Sequence, residues 1–432
     1  MDFLFYKASN RQLAALRIII GVWFWVDLIS MLVSGYVKEA YINSEMNFPF
    51  YGFEWITPLP GFGMYILFAT LILAVLGIIL GYQIKLCLGY FIVGFGYVFM
   101  CDIVYTLNKF YLFLVLAFVL FLVGESHRLQ SKKLILANQW TPNWKILIFQ
   151  GLVLMIYFYS GISKINPDWL FRAAPLRYFL RSDFSFLDDE VFMYVAYAFT
   201  YGGFIFDLSI SWILLSKKTR LLGQIIQSAF HLLNFVLLGI GSLSLFMLLL
   251  TWLLFPTEKL REWLKLEPVK RETFMLSGSC KKRVAIFLGI FFLINLLIPH
   301  RHYLTGNNVN WTEKGHRFSW RLMTRTKLGS QSRFYVESDQ LTEPRKINPA
   351  DHLTNRQYRK MSGETDLVIV FAHYLKNLYA RDGHTEITIT ADIKTRMNGH
   401  PPKNLVDPDL DLTLVNRSYI SDEISTKSPL EE

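Results

Sequence analysis

Cysteine is scarce in this chain of 432 residues, with only Cys87, Cys101 and Cys280. Three thiols at these positions form no zinc-ligand spacing, and none follows residue 280, so the C-terminal region is built without a disulfide. Charged residues make up only 18% of the chain. They form no basic stripe interleaved with aromatics, which argues against a nucleic-acid partner. Internal repeats and low-complexity linkers are absent. The first apolar stretch follows Lys7 and Arg11 and lacks a small-residue cleavage site, so it reads as a retained span and not as a signal peptide.

What is abundant is apolar surface: 53% of residues are hydrophobic and 16% aromatic. Several apolar runs exceed the roughly 18 residues that mark a membrane span. Nine segments are read as membrane segments, at about 12–33, 62–80, 84–104, 108–124, 144–163, 191–215, 220–239, 241–255 and 283–299; the eighth is short, so eight or nine cross. Lysine and arginine cluster in alternate loops: Arg128, Lys132, Lys133 and Lys145; Lys217, Lys218 and Arg220; and seven in 256–282. That asymmetry places the N-terminus in the cytoplasm and everything after residue 299 on the far side. The net charge of +10 lies mostly in these loops and suits anionic lipid headgroups.

Hydropathy falls at Pro299. Residues 332–337 and 386–393 alternate like strands, and 367–379 have helical spacing. The expected fold class is therefore an α-helical polytopic membrane protein of about nine transmembrane helices with a small C-terminal α/β extramembrane domain. Its parts are a bundle over 1–299, an exported mixed α/β domain over 300–420 and a polar tail over 421–432.

One segment carries a chemical problem: Tyr157-Phe158-Tyr159-Ser160-Gly161-Ile162-Ser163-Lys164-Ile165-Asn166-Pro167-Asp168-Trp169. An ammonium group at the end of an apolar span must snorkel, find a partner or give up its proton. A neutral amine is a base. Moving a lysine from about 10.4 to about 7 requires roughly 4–5 kcal/mol of bias against its charged form, within reach of desolvation. Otherwise it is a boundary lysine that contributes little to packing. His231 and Asn234, one turn apart in the seventh segment, are either interhelical hydrogen-bonders or groups facing a ligand.

The lysine segment resembles the vitamin K-dependent γ-glutamyl carboxylase family, whose membrane part is also called the HTTM domain. So do Phe230-His231-Leu232-Leu233-Asn234, Pro299-His300-Arg301-His302-Tyr303-Leu304, and the block from Asn310-Trp311-Thr312-Glu313 through His316-Arg317-Phe318-Ser319-Trp320-Arg321. Asn398-Gly399-His400-Pro401-Pro402 is a weaker match. The short length is similar to that of bacterial members. The resemblance implies a carbon–carbon lyase that couples oxygenation of reduced vitamin K (phylloquinol or menaquinol) to its epoxide with carboxylation of glutamyl residues, using O2 and CO2 and no metal. It implies Lys164 as the base that activates the quinol, with Tyr157, Tyr159, His231, Asn234 and Asn108 around the quinone. His316, Arg317 and Asn398 would meet the substrate, a glutamate-containing protein or peptide. Arginine suits that task because a guanidinium grips a carboxylate in bidentate fashion.

The chain departs from the pattern where Lys109 follows Asn108 in place of histidine, and where Lys394, Arg396 and His400 replace the family's usual residues. The change at Lys109 bears on the quinol chemistry, where the lysine would have to substitute for the histidine, and those at Lys394, Arg396 and His400 bear on glutamate recognition more than on quinol oxidation. The alternatives are a quinol epoxidase without protein carboxylation, and a membrane transporter or scaffold in which Lys164 only anchors a helix.

Overall fold

A computed structural model describes residues 2–124, 128–130, 133–135, 140–304, 308–418 and 425–430. Lys132 and the tail residues 421–424 and 431–432 lie outside the described residues. The membrane-type helices come first: α1 (Asn10–Val33), α2 (Gly63–Leu80), α3 (Ile84–Cys101), α4 (Asn108–Val123) and α5 (Trp144–Ser163). Two short helices, α6 (Pro167–Arg172) and α7 (Leu176–Leu180), lead into α8 (Asp189–Leu215), α9 (Arg220–Val236) and α10 (Ser242–Leu254). After α11 (Glu258–Trp263), α12 (Gly278–Leu297) closes the bundle and runs on as a 3-10 turn to Leu304.

Nine of these helices occupy the nine expected segments, but they are not equal. Six, namely α1, α2, α3, α5, α8 and α12, have the length and hydropathy to cross a membrane. Helix α4 is apolar but has only 16 residues. Helix α10 has 13, about 20 Å of length against a hydrocarbon layer of about 30 Å. The seventh expected segment, α9, buries Gln224, Gln227 and His231 on one face and exposes leucines on the other. Residues 256–282, expected as a loop, contain α11 and a strand, and Cys280 sits in the first turn of α12.

The helices end where the sequence stops them. Gly81 closes α2 at φ +77°, a left-handed conformation that suits glycine. Buried Arg17 reaches from α1 to that same end, donating to Ile79 O at 2.9 Å and also to Ile78 O. A cation there complements the negative end of the helix dipole. Lys164 is the C-terminal cap of α5, after which Asn166 accepts from Trp169 N at 3.0 Å and Pro167 opens α6.

Strands β1 (Tyr6–Ser9), β2 (Arg128–Gln130), β3 (Lys133–Ile135), β4 (Trp140–Pro142) and β5 (Lys270–Thr273) include a small sheet of order β4-β1-β5 beneath the bundle. The C-terminal domain starts with α13 (Val309–Thr312). Its sheet holds β6 (Lys327–Glu337), β7 (Arg345–Ile347), β8 (Thr388–Met397) and β9 (Lys403–Asn404), antiparallel in the order β7-β6-β8-β9. Alternation makes this sheet two-faced: Phe334, Val336, Ile389, Ala391 and Ile393 are buried. They share a core with Leu367, Phe371 and Leu375 of α15 (Thr365–Arg381), which follows α14 (Asn355–Met361).

The domain is seated on the bundle by specific bonds. Gln357 of α14 donates to buried Asp102 at 2.9 Å, and Asn398 donates to Asp168, just past Lys164, at 2.9 Å. The Phe318 ring packs on Phe50, Phe99 and Tyr111.

Candidate functional site

Helices α5 and α8 touch at a glycine. A Cβ on Gly161 would stand 2.6 Å from the Leu208 side chain and 3.1 Å from its backbone nitrogen, so only glycine lets the helices come this close. The approach brings Ser160 and Lys164, one turn apart on α5, against Asp207 of α8. Lys164 Nζ donates to Asp207 Oδ2 at 2.6 Å, to Ser160 Oγ at 2.7 Å and to Ser160 O at 3.1 Å. Ser160 Oγ in turn donates to Asp207 Oδ2 at 2.7 Å. All three donors of an ammonium are thus matched. Of the three outcomes open to an ammonium at the end of an apolar span, the structure shows a partner: Lys164 is 4% exposed and paired with Asp207. It is also a packing residue, over the Trp169 ring at 5.1 Å and 3.5 Å from Leu322 O of the C-terminal domain.

This triangle forms one wall of a cavity of about 670 Å3. The lining is mostly apolar, from α4, α5, α8, α9 and α10, and the roof is Trp320, Leu322 and Met323. Tyr157 Oη lies 2.7 Å from His231 Nε2, joining α5 to α9 on another wall. His231 Nδ1 is buried with no hydrogen-bond partner among the described residues. A second, partly exposed pair reaches this space through Lys109, whose Nζ stands 3.2 Å from Asp27 of α1 and 3.5 Å from Ser242 Oγ.

Of the residues singled out from sequence, Lys164, Tyr157, His231, Asn234 and Asn108 line this cavity together. His231 is both things that sequence left open, an interhelical hydrogen-bonder and a cavity group. Tyr159 points elsewhere; its hydroxyl donates to Leu296 O at 2.7 Å and its ring meets His300. Asn398 bridges the two domains, accepting from Thr326 N at 2.8 Å while donating to Asp168.

His316 and Arg317 sit in a charged network inside the C-terminal domain. Arg317 pairs with Glu364, and Lys360 joins the same carboxylate at 2.8 Å. His316 contacts Arg325, which is itself paired with Glu313. Burial, with Arg321, Lys360 and Arg317 nearby, holds the His316 imidazole well below its usual range. Burial alone would raise Glu364, but Arg317 and Lys360 prevail and hold its carboxyl well below the ordinary value. Burial pulls Arg325 down to about 10.

Asp207 and Ser160 are the members that sequence reasoning missed. One signal for Asp207 was available, because an acidic residue inside an apolar segment is a functional candidate by default. Nothing in the sequence marks Ser160 beyond its place one turn before the lysine.

A helical bundle with six membrane-length apolar helices, capped by a sheet domain whose loop roofs an apolar cavity, is the architecture of an integral membrane protein. Residues 5–259 match the HTTM domain, and residues 280–424 match the vitamin K-dependent gamma-carboxylase lumenal domain. The chain belongs to the vitamin K-dependent gamma-carboxylase family. The second match includes α12, so the family's domain division falls before the last long helix. No solved structure matches the chain significantly.

The cavity fits the cofactor that this family implies. Its size lies within the roughly 300–1,000 Å3 usual for small-molecule sites, and its apolar walls carry a few convergent polar groups. The unpartnered His231 Nδ1 is a buried polar atom that a hydroxyl-bearing ring would satisfy.

Proposed function

We propose that the protein is a vitamin K-dependent γ-glutamyl carboxylase-like membrane enzyme, with all nine helices crossing or entering the bilayer. Its N-terminus is cytoplasmic and its C-terminal domain lies on the far side. Its substrate is a glutamate-containing protein or peptide. The observation that carries this reading is the Lys164–Ser160–Asp207 triangle, buried on the wall of an apolar cavity that the second domain closes.

The chemistry needs a base stronger than any side chain, since side-chain values of about 4–10 are far too weak for a glutamyl γ-carbon. A bound reduced naphthoquinone supplies that base on oxygenation, in a site closed to water. The chain's own residues manage the first proton. Shifting the bridging proton from Lys164 Nζ to Asp207 Oδ2, 2.6 Å away, leaves a neutral amine and a neutral acid. The amine lone pair can then accept a proton from a hydroxyl in the cavity, and the pair as a whole has taken up one charge. Ser160 Oγ, hydrogen-bonded to both partners, holds them in register. His231, oriented by Tyr157, offers Nδ1 to a second oxygen. Trp320 and Met323 exclude water from above.

A narrower reading is a quinol epoxidase that no longer carboxylates protein. The engagement of Arg317 with Glu364 and of His316 with Arg325 favours it, because either residue would have to exchange partners to grip a substrate carboxylate. Purified protein given hydroquinone, oxygen, labelled bicarbonate and a glutamate-containing peptide tests both. Epoxide with label in the peptide supports carboxylation, and epoxide alone selects the narrower activity. Absence of both overturns the proposal.

A further inference from the structure

One face of the C-terminal sheet packs on α15, and strand alternation turns the remaining side chains to the other face. On that outer face Arg333 of β6, Lys346 of β7, and Lys394 and Arg396 of β8 stand exposed, against two acids, Glu337 and Asp392. Inside the domain the cations are answered: Arg317 by Glu364, Arg325 by Glu313 and Arg417 by Asp366. Outside they are not. Arg333 and Asp392 are partners in register, yet the carboxylate accepts a hydrogen bond from Gln331 instead. None of the four outer cations forms an ion pair among the described residues. Lys394 and Arg396 are also two of the positions at which the chain departs from its family's pattern, and neither lines the cavity. The row has a direction. Lys346 lies level with Tyr335, and Tyr335 with Thr390; from Thr390 to Arg396 the strand covers about 20 Å. At its lower end Arg396 is two positions before Asn398, which donates to Asp168 just past Lys164.

We propose that this outer face is a docking track for an extended acidic segment of the polypeptide substrate, which Lys346, Arg333, Lys394 and Arg396 hold and lead towards the cavity roof. This rests on the carboxylase reading and deepens it, because it assigns recognition to carboxylates other than the reacting one. Charge selects the occupant. Four unpaired cations on one surface attract a chain of carboxylates, and the two guanidinium groups can each take one in bidentate fashion. Spacing fits as well. Every second side chain of an extended peptide falls on one side at intervals of about 7 Å, which is also the interval between Lys394 and Arg396 along β8. Exposed pairs are weak one at a time, so the track depends on several acting together.

The test measures binding, independently of turnover. Protein in nanodiscs of zwitterionic lipid is titrated with a fluorescein-labelled peptide alternating glutamate and serine, and with its glutamine counterpart, and anisotropy is read. The glutamate peptide should bind about tenfold tighter or more at low salt. The gap should close as salt rises, since exposed charges are screened over about 8 Å at physiological ionic strength. Lys394→Glu/Arg396→Glu should remove the preference; Arg333→Glu/Lys346→Glu, at the other end of the row, should do the same and stands in if the first variant does not fold. Lys282→Glu/Arg283→Glu, exposed at the start of α12, makes an equal change in net charge and should keep the preference. Equal binding of the two peptides, a preference kept in both sheet variants, or one lost in the α12 variant too, overturns the track. A kept preference with lost binding to phosphatidylserine vesicles would overturn it in favour of a membrane-facing patch. Unaltered protein that forms neither epoxide nor labelled peptide, yet shows the preference through these residues, overturns the carboxylase reading and leaves an acid-binding face.

Discussion

Two lysine–aspartate pairs present their lysines to one cavity, and they are built differently. Lys164 and Asp207 are each 4% exposed, meet at 2.6 Å and share Ser160. Lys109 and Asp27 are 22% and 9% exposed, stand 3.2 Å apart and share Ser242 through longer contacts, 3.5 Å from Lys109 and 3.3 Å to Asp27. The first pair lies where helix packing is tightest, at Gly161. The second bridges the start of α4 to α1, where water or ligand can reach it. A tight pair away from water is a proton-sharing unit whose partners depend on one another; a looser, wetter pair is an adjustable contact.

The sharpest break of this comparison is Lys164→Met, which strands Asp207 in the interior. Loss of one member of a buried pair is expected to lower stability by about 3–5 kcal/mol, read by thermal unfolding in detergent, and to abolish quinol oxidation. The double variant Lys164→Met/Asp207→Leu should regain most of the stability and none of the activity. If the single variant unfolds no more easily than Lys109→Met, the distinction between the pairs is wrong.

Gly161→Val attacks the packing beneath the tight pair. The branched side chain collides with Leu208, so a loss of roughly 1–3 kcal/mol is expected, with turnover falling further than stability as Lys164 and Asp207 part. Turnover retained at the wild-type rate would show that the close approach is not what holds the pair.

The network in the C-terminal domain offers a contrast outside the membrane, and pH reads it. His316 is held below its usual value, so its unfolded form takes up a proton first. Stability is intact above about pH 6.5 and declines as pH falls, by up to about 1.4 kcal/mol per unit. Glu364 is also held low, and its contribution is lost as pH falls below about 4.3. Hydrogen exchange of α15 amides from pH 7 to 4 should show this slope, and His316→Gln should flatten its upper part. A slope that survives the substitution would assign it to other groups.

The smallest effect belongs to the open pair. Lys109→Met should lower stability by about 1 kcal/mol or less, as for partly exposed pairs, and Lys109→His should restore much of any loss in quinone binding. A collapse of the fold in Lys109→Met would make the two pairs equivalent and remove the contrast.

Much of the fold was legible in the chain because its signals are local. Apolar runs announce helices, and alternation over 386–393 announces a strand, found over Thr388–Met397 and buried on one face. The number of full-length spans was less legible. Segment 241–255 reads as apolar throughout, yet only 13 of its residues form helix. The site was half legible. Lys164, Tyr157 and His231 stand out as polar groups on apolar helices, whereas Tyr159 has the same composition around it and faces the other way, towards Leu296. Helical phase relative to a neighbour is a packing outcome that one strand of text does not hold.

By itself the sequence determined that an amine must end an apolar helix, that the chain is rich enough in long apolar segments to live in lipid, and that a sheet domain follows. These depend on residues next to one another along the backbone. Only the tertiary structure decided that the amine would be answered by a carboxylate 43 positions away. The reason is physical: a buried charge is stabilised by whatever the packing of whole helices brings within a few ångströms, and here that packing is set by a glycine with no charge at all.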